Sequence, residues 1–118
     1  SVPLLGALAS ALLELERDDE AAALIERVLA RGDRHLRAEG FRTRAYTRLD
    51  KADFDAAWED FEEVRRLAPS APDNATLELT ILLMSKRYDD ARARAQYWLP
   101  RLERNTAREA DAPLEFVE

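Results

Sequence analysis

The stretch Asp53–Pro69, DFDAAWEDFEEVRRLAP, decides the fold. Phe54, Ala57, Trp58, Phe61, Val64 and Ala68 recur at the three- and four-residue spacing that gathers side chains into one stripe of a helix. The opposite face is almost wholly acidic. Small Ala57 between aromatics lets a second helix approach closely before Phe54 and Phe61 fill the flanking space. Pro69 closes the segment.

Outward from this stretch the chain reads as helix almost everywhere, because alanine, leucine, arginine and acids dominate and there are only 3 glycines. The expected class is all-α, in one domain of 118 residues. Six helices are predicted. The first spans Pro3 to Arg17, with Leu5, Leu8, Ala9, Leu12 and Leu15 inward. The second runs from Asp19 to Arg31, followed by Gly32 where a left-handed residue is useful. The third covers Arg34 to Leu49, weakened at Gly40 and with Leu36, Phe41, Ala45 and Leu49 inward. The fourth is the opening stretch. The fifth, Asp73 to Ser85, is apolar enough for more than one face to be covered. In the sixth, Pro100 predicts a kink near Gln96–Leu99, or a break and a fresh helix to Ala110. Residues 111–118 form a polar tail ending in PLEFVE.

The order aromatic, small, aromatic, apolar and then proline in Phe54, Ala57, Phe61, Val64 and Pro69 resembles the second helix of a tetratricopeptide repeat. Phe54 and Tyr88 are 34 residues apart, as are Ala57 and Ala91, Phe61 and Ala95, and Val64 and Trp98, which is that family's period. Ala21, Ile25 and Val28 repeat the pattern 36 residues earlier, and Leu5, Leu8, Ala9 and Leu12 fill the first-helix positions. The resemblance implies a right-handed α–α superhelix of three helix-turn-helix units, about 2–35, 38–71 and 72–105. A closed helical bundle without a groove is the competing architecture, and would be more compact.

In the second unit, literal alignment puts Arg44 and Arg48 where the family has leucine and tyrosine. Two extra residues in the Asp50–Asp53 turn bring Ala45 and Tyr46 into register instead. That register is preferred, because two unpaired buried guanidinium groups would each cost several kcal/mol, more than a longer turn.

Composition narrows the chemistry. A net charge of −6 argues against a nucleic-acid partner, and the absence of cysteine excludes disulfides and thiolate metal sites. The apolar run Val2–Leu13 is too short for a membrane span. Localisation is open: cytoplasmic by default, periplasmic if a signal peptide was removed before Ser1. His35 stands alone among arginines, no serine sits in a nucleophile context, and the acids around Asp53 to Glu63 read as a solvated face rather than a calcium loop. An enzyme is not expected, and no cofactor or metal is implied. Arginine outnumbers lysine sixteen to two, consistent with a GC-rich bacterial source.

The third helix sets five arginines, Arg34, Arg37, Arg42, Arg44 and Arg48, against Glu39. Either they pair with acids of the neighbouring helices or they form an anion-binding strip. The family resemblance implies a protein-binding scaffold whose concave face is lined by the first helix of each unit, here Ser10, Leu13, Arg42, Tyr46, Thr76, Thr80 and Leu83. Family members that clamp a terminal carboxylate use lysine and asparagine where Gly6 and Ser10 stand, so that activity is not implied. The expected ligand is an acidic peptide or helix with apolar anchors, gripped by Arg42 and Tyr46 outside the core. Two other roles are open: a spacer or homo-oligomerising segment of a larger bacterial protein, and a groove occupied by the tail through Leu114, Phe116 and Val117.

Overall fold

The structure, a computed structural model, describes residues 4–110, with side chains to residue 105. It is all-helical: α1 (Leu4–Glu14), α2 (Asp18–Arg31), α3 (Arg34–Asp50), α4 (Phe54–Leu67), α5 (Asp73–Met84) and α6 (Tyr88–Ala110). Pro3 and the 111–118 tail with its docking segment lie outside the described residues.

Three hairpins, α1/α2, α3/α4 and α5/α6, are closed by the same turn. Glu16, Ala52 and Lys86 each take a left-handed backbone, at φ 60°, 57° and 64°. At each one the next residue's amide reaches back five positions: Arg17 to the Leu12 carbonyl, Asp53 to the Arg48 carbonyl, and Arg87 to the Leu82 carbonyl, at 2.8, 2.9 and 2.8 Å. This is the helix-ending arrangement that usually uses glycine, and a residue with a Cβ gives up about 1 kcal/mol there. The first turn explains why α1 stops at Glu14 rather than Arg17.

The three left-handed residues are 36 and 34 positions apart, and three residues separate the helices in every hairpin. The Asp50–Asp53 turn is therefore no longer than the others, which overturns the preferred register. Arg44 and Arg48 stand 36 residues after Leu8 and Leu12, half-buried on α3. They are not unpaired: Asp60, 2% exposed, accepts from both.

Each helix packs on its chain neighbours, and α3 also touches α1 and α5; no other helices meet among the described residues. Ala45, Leu49, Ala57, Phe61, Val64, Leu77 and Ile81 form the central core between α3, α4 and α5, with Phe41, Phe54 and Trp58 against it. Ala57 is fully buried, as its place between aromatics demanded.

Two glycines act by size. A Cβ on Gly40 would come within 2.8 Å of Leu29 Cδ2, so the residue that weakens α3 is also what allows α2 to approach. Gly32 is extended (φ −70°, ψ 156°) rather than left-handed. A Cβ there would lie 2.7 Å from the Val28 carbonyl oxygen.

Other expectations are corrected. Of the two alternatives at Pro100, a kink or a break, the break does not occur: α6 continues through it to Ala110. The Arg101 guanidinium donates to the Tyr97 carbonyl at 2.8 Å, one residue beyond the Gln96 carbonyl whose backbone donor Pro100 removes. Leu8, Leu15 and Leu36 are exposed rather than inward, and on α5, which meets α3, α4 and α6, Met84 and Leu83 stay exposed. α1 and α6 stand at the two ends of the row, where each lacks a neighbour on one side.

Candidate partner-binding face

α1, α3 and α5 lie side by side, and the residues proposed from sequence are distributed along them. Ser10 and Thr76 are exposed or half-exposed along this row, and Leu13 and Thr80 are half-buried. Tyr46 is 37% and Leu83 53% exposed. Thr80 Oγ1 donates to the Thr76 carbonyl at 2.6 Å, which leaves the hydroxyl oxygen as an acceptor. The face is rich in hydroxyls, with apolar surface at Leu13, Tyr46 and Leu83.

Arg42 does not belong to the exposed surface. It is 8% exposed, paired within α3 to Glu39, and Nη2 reaches Asn74 Oδ1 on α5 at 3.5 Å. Asn74 in turn donates to the Ala68 carbonyl at 2.8 Å, so the group ties α3 to the α4–α5 connection. Arg42 is a clasp between two helices of the face rather than a contact for a ligand. Tyr46 lies one turn further on. Its phenol is held above the ordinary value, first by burial and then by Asp73, against the opposing charge of Arg42. It therefore presents a neutral hydroxyl at any ordinary pH.

Arg44 and Arg48 are also engaged within the molecule. Arg44 Nη2 donates to Asp60 Oδ1 at 2.9 Å and Nη1 to Glu26 on α2 at 2.9 Å, and Arg48 Nη1 donates to Asp60 Oδ2 at 3.0 Å. The Asp60 bond raises the Arg44 pKa further, against the cost of burial. Pairing with acids of α2 and α4 thus accounts for Arg44 and Arg48, and with Arg42 paired to Glu39 an anion-binding strip keeps only Arg34 and Arg37 of its five cations. Asp60 is likewise no part of a solvated acidic face.

A polar pair that sequence reading missed sits in the third hairpin. Glu78, 2% exposed, accepts from Arg94 Nε and from Trp98 Nε1, each at 2.9 Å. Glu78 is 34 residues after Arg44, and Arg94 is 34 after Asp60. The two hairpins carry the same bridge with its charges reversed. The signal was present in the sequence as opposite charges at repeat-equivalent positions.

No protein family, curated protein or solved structure matches the chain. Among the described residues, no helix is long and apolar enough to cross a membrane.

Proposed function

We propose that this chain is a non-catalytic scaffold of tetratricopeptide type, a right-handed superhelix that holds a peptide or helix of a partner protein along α1, α3 and α5. The observation that carries the reading is the hairpin turn recurring at intervals of 36 and 34 residues, with α3 in contact with both α1 and α5. Support also comes from shape. The radius of gyration is 16.4 Å, and the extents are 47 × 40 × 26 Å. A compact domain of this length would have a radius of about 13 Å.

The ligand chemistry follows from what is left exposed. With Arg42, Arg44 and Arg48 engaged internally, the grip on a ligand comes from apolar contact at Leu13, Tyr46 and Leu83 and from hydroxyl hydrogen bonds, rather than from capture of an acidic segment. Peptide display against the immobilised chain tests this. Enriched peptides should carry apolar anchors and should lose at least about tenfold in affinity against Tyr46→Ala with Leu83→Asp, some 1.4 kcal/mol or more. Peptides that bind the variant equally well would place the face elsewhere.

A spacer or self-associating segment of a larger bacterial protein is the second reading, favoured by apolar surface at both ends of the row, Leu4 and Leu8 on α1 and Leu99 on α6. Sedimentation velocity separates the two. A monomer at all concentrations removes self-association.

A further inference from the structure

Two crevices occupy equivalent places at successive junctions between hairpins. The first, about 160 Å³ between α2 and α3, is lined by Asp18, Ala22, Thr47 and Lys51 among others; the second, about 240 Å³ between α4 and α5, by Phe54, Trp58, Ile81 and Ser85. These residues correspond in order at the repeat offsets of 36 and 34. Their chemistry differs. The first has the small Ala22 at its wall, with Arg44, Arg48 and Lys51 and the acids Asp18 and Glu26 around it. The second replaces Ala22 with the indole of Trp58, flanked by Asp55 and Glu59.

We infer that the α4–α5 crevice is a docking site for an arginine side chain of a basic segment on a partner protein, stacked on Trp58 and held by Asp55 and Glu59. Asp55 and Glu59 are four residues apart on exposed positions of α4, and neither has an ion-pair or hydrogen-bond partner among the described residues. Two like carboxylates at this spacing repel each other mildly, and a cation between them removes that repulsion. The indole face adds the aromatic component that a guanidinium prefers. Arg87 lines the same crevice with its guanidinium carbon 5.5 Å from the Trp58 ring centroid, so the incoming arginine takes the place of the chain's own guanidinium on the indole. The Arg87 charge is itself offset by Asp90, at 2.9 Å, so the crevice remains net acidic. The equivalent crevice has alanine in place of the indole, and its acid Glu26 is already paired with Arg44, so it lacks both the aromatic face and the unpaired carboxylate pair. The site shares no residue with the α1–α3–α5 face, so it goes beyond the proposed function and does not depend on it.

The test uses the full chain and its two indole Nε1–H resonances, Trp58 and Trp98, in proton–nitrogen correlation spectra at low ionic strength. The probe is a tri-arginine amide peptide, with tri-lysine and tri-glutamate as comparisons. The Trp58 resonance should shift saturably with tri-arginine, more weakly with tri-lysine and not with tri-glutamate, while Trp98, engaged with Glu78, stays in place. Asp55→Asn with Glu59→Gln, conservative changes at exposed positions, should weaken binding about fivefold or more, equivalent to two partly exposed charge contacts. A Trp58 shift that does not saturate, that is unchanged in the double variant, or that Trp98 follows equally would overturn the site. Equal affinity for tri-lysine would remove the indole from it. A Trp58 shift that grows with the concentration of the chain alone would place the arginine on a second copy and overturn its assignment to a separate partner.

Discussion

Removing the Asp60 carboxylate tests the central hairpin. Asp60 is 2% exposed and accepts hydrogen bonds from Arg44 and Arg48 at 2.9 to 3.3 Å, so Asp60→Asn leaves two guanidinium groups facing a neutral amide. Breaking a buried pair by removing one partner costs about 3–5 kcal/mol. The arginine side chains retain 24% and 31% exposure, and Arg44 keeps Glu26, so the expected loss lies at the low end, about 3 kcal/mol. At this chain length that is a fall in melting temperature of roughly 12 °C. Two further variants isolate the cause. Arg44→Glu with Asp60→Arg copies the polarity of Glu78 and Arg94, and should recover part of the loss seen in either single change. Arg44→Leu, Arg48→Leu and Asp60→Leu together copy Leu8, Leu12 and Leu24, which stand 36 residues earlier, and should be near neutral or stabilising, as apolar replacement of buried ion pairs often is. Urea unfolding followed by circular dichroism gives every value. A loss under about 1 kcal/mol for Asp60→Asn, or a reversed pair no better than the sum of its singles, would refute the buried bridge as a determinant of stability.

Three further outcomes are expected. Arg42→Ala, which strands Glu39 in a nearly buried site and unties Asn74, should cost about 2–3 kcal/mol in urea unfolding, so Arg42 cannot serve as a neutral probe of binding. Ala52→Gly should raise stability slightly, by up to about 1 kcal/mol, because the left-handed strain at φ 57° outweighs the extra freedom of glycine in the unfolded chain, whereas Ala52→Val should lower it by at least as much. Tyr46 should ionise above the ordinary phenol range in an absorbance titration. Its raised pKa contributes stability that is fully present below the unfolded phenol pKa, about 10, and is lost as pH rises through the folded value; Tyr46→Phe should remove that component of alkaline unfolding.

The helices are legible in the sequence because their signals are local. Periodicity places α4 within a residue or two at each end, and Ala57, Phe61 and Val64 are buried as their spacing requires. What escapes are the places where one residue's meaning depends on another far along the chain. Arg44 and Arg48 look too costly to bury, which favours a longer turn; the structure satisfies them with Asp60, which in sequence is indistinguishable from its solvated neighbours Glu59 and Glu62. Arg42 reads as a surface residue because its partner on α5 lies 32 residues away. The turn geometry at Glu16, Ala52 and Lys86 carries no glycine to announce it. Position along the face is readable from helical spacing, but exposure is not, since neighbouring helices decide which residues of that stripe remain uncovered.

Reversed bridges in adjacent hairpins also bear on how a repetitive chain selects its own pairing. Helices of similar length and pattern can exchange partners at little cost in apolar contact, since each offers a comparable stripe. The polar pairs remove that degeneracy. If α3 took α6 as its hairpin partner, Arg44 would meet Arg94; if α5 took α4 in the same way, Glu78 would meet Asp60. Both exchanges place like charges where the native pairing places opposite ones, at positions whose acids are 2% exposed and where solvent screens little. The first hairpin, with Leu8 and Leu24 at the equivalent positions, offers neither charge a partner. The two bridged hairpins are thereby given different pairings, arginine on aspartate and glutamate on arginine, and the first carries no charge at these positions. Chains in which both bridges are replaced by leucine should keep their helices while losing this distinction, and a rise in dimers formed by exchange of hairpins, read by size-exclusion chromatography after refolding at high concentration, is the expected consequence. Refolding to monomer alone would mean that turn length and core shape select the pairing without help from the charges.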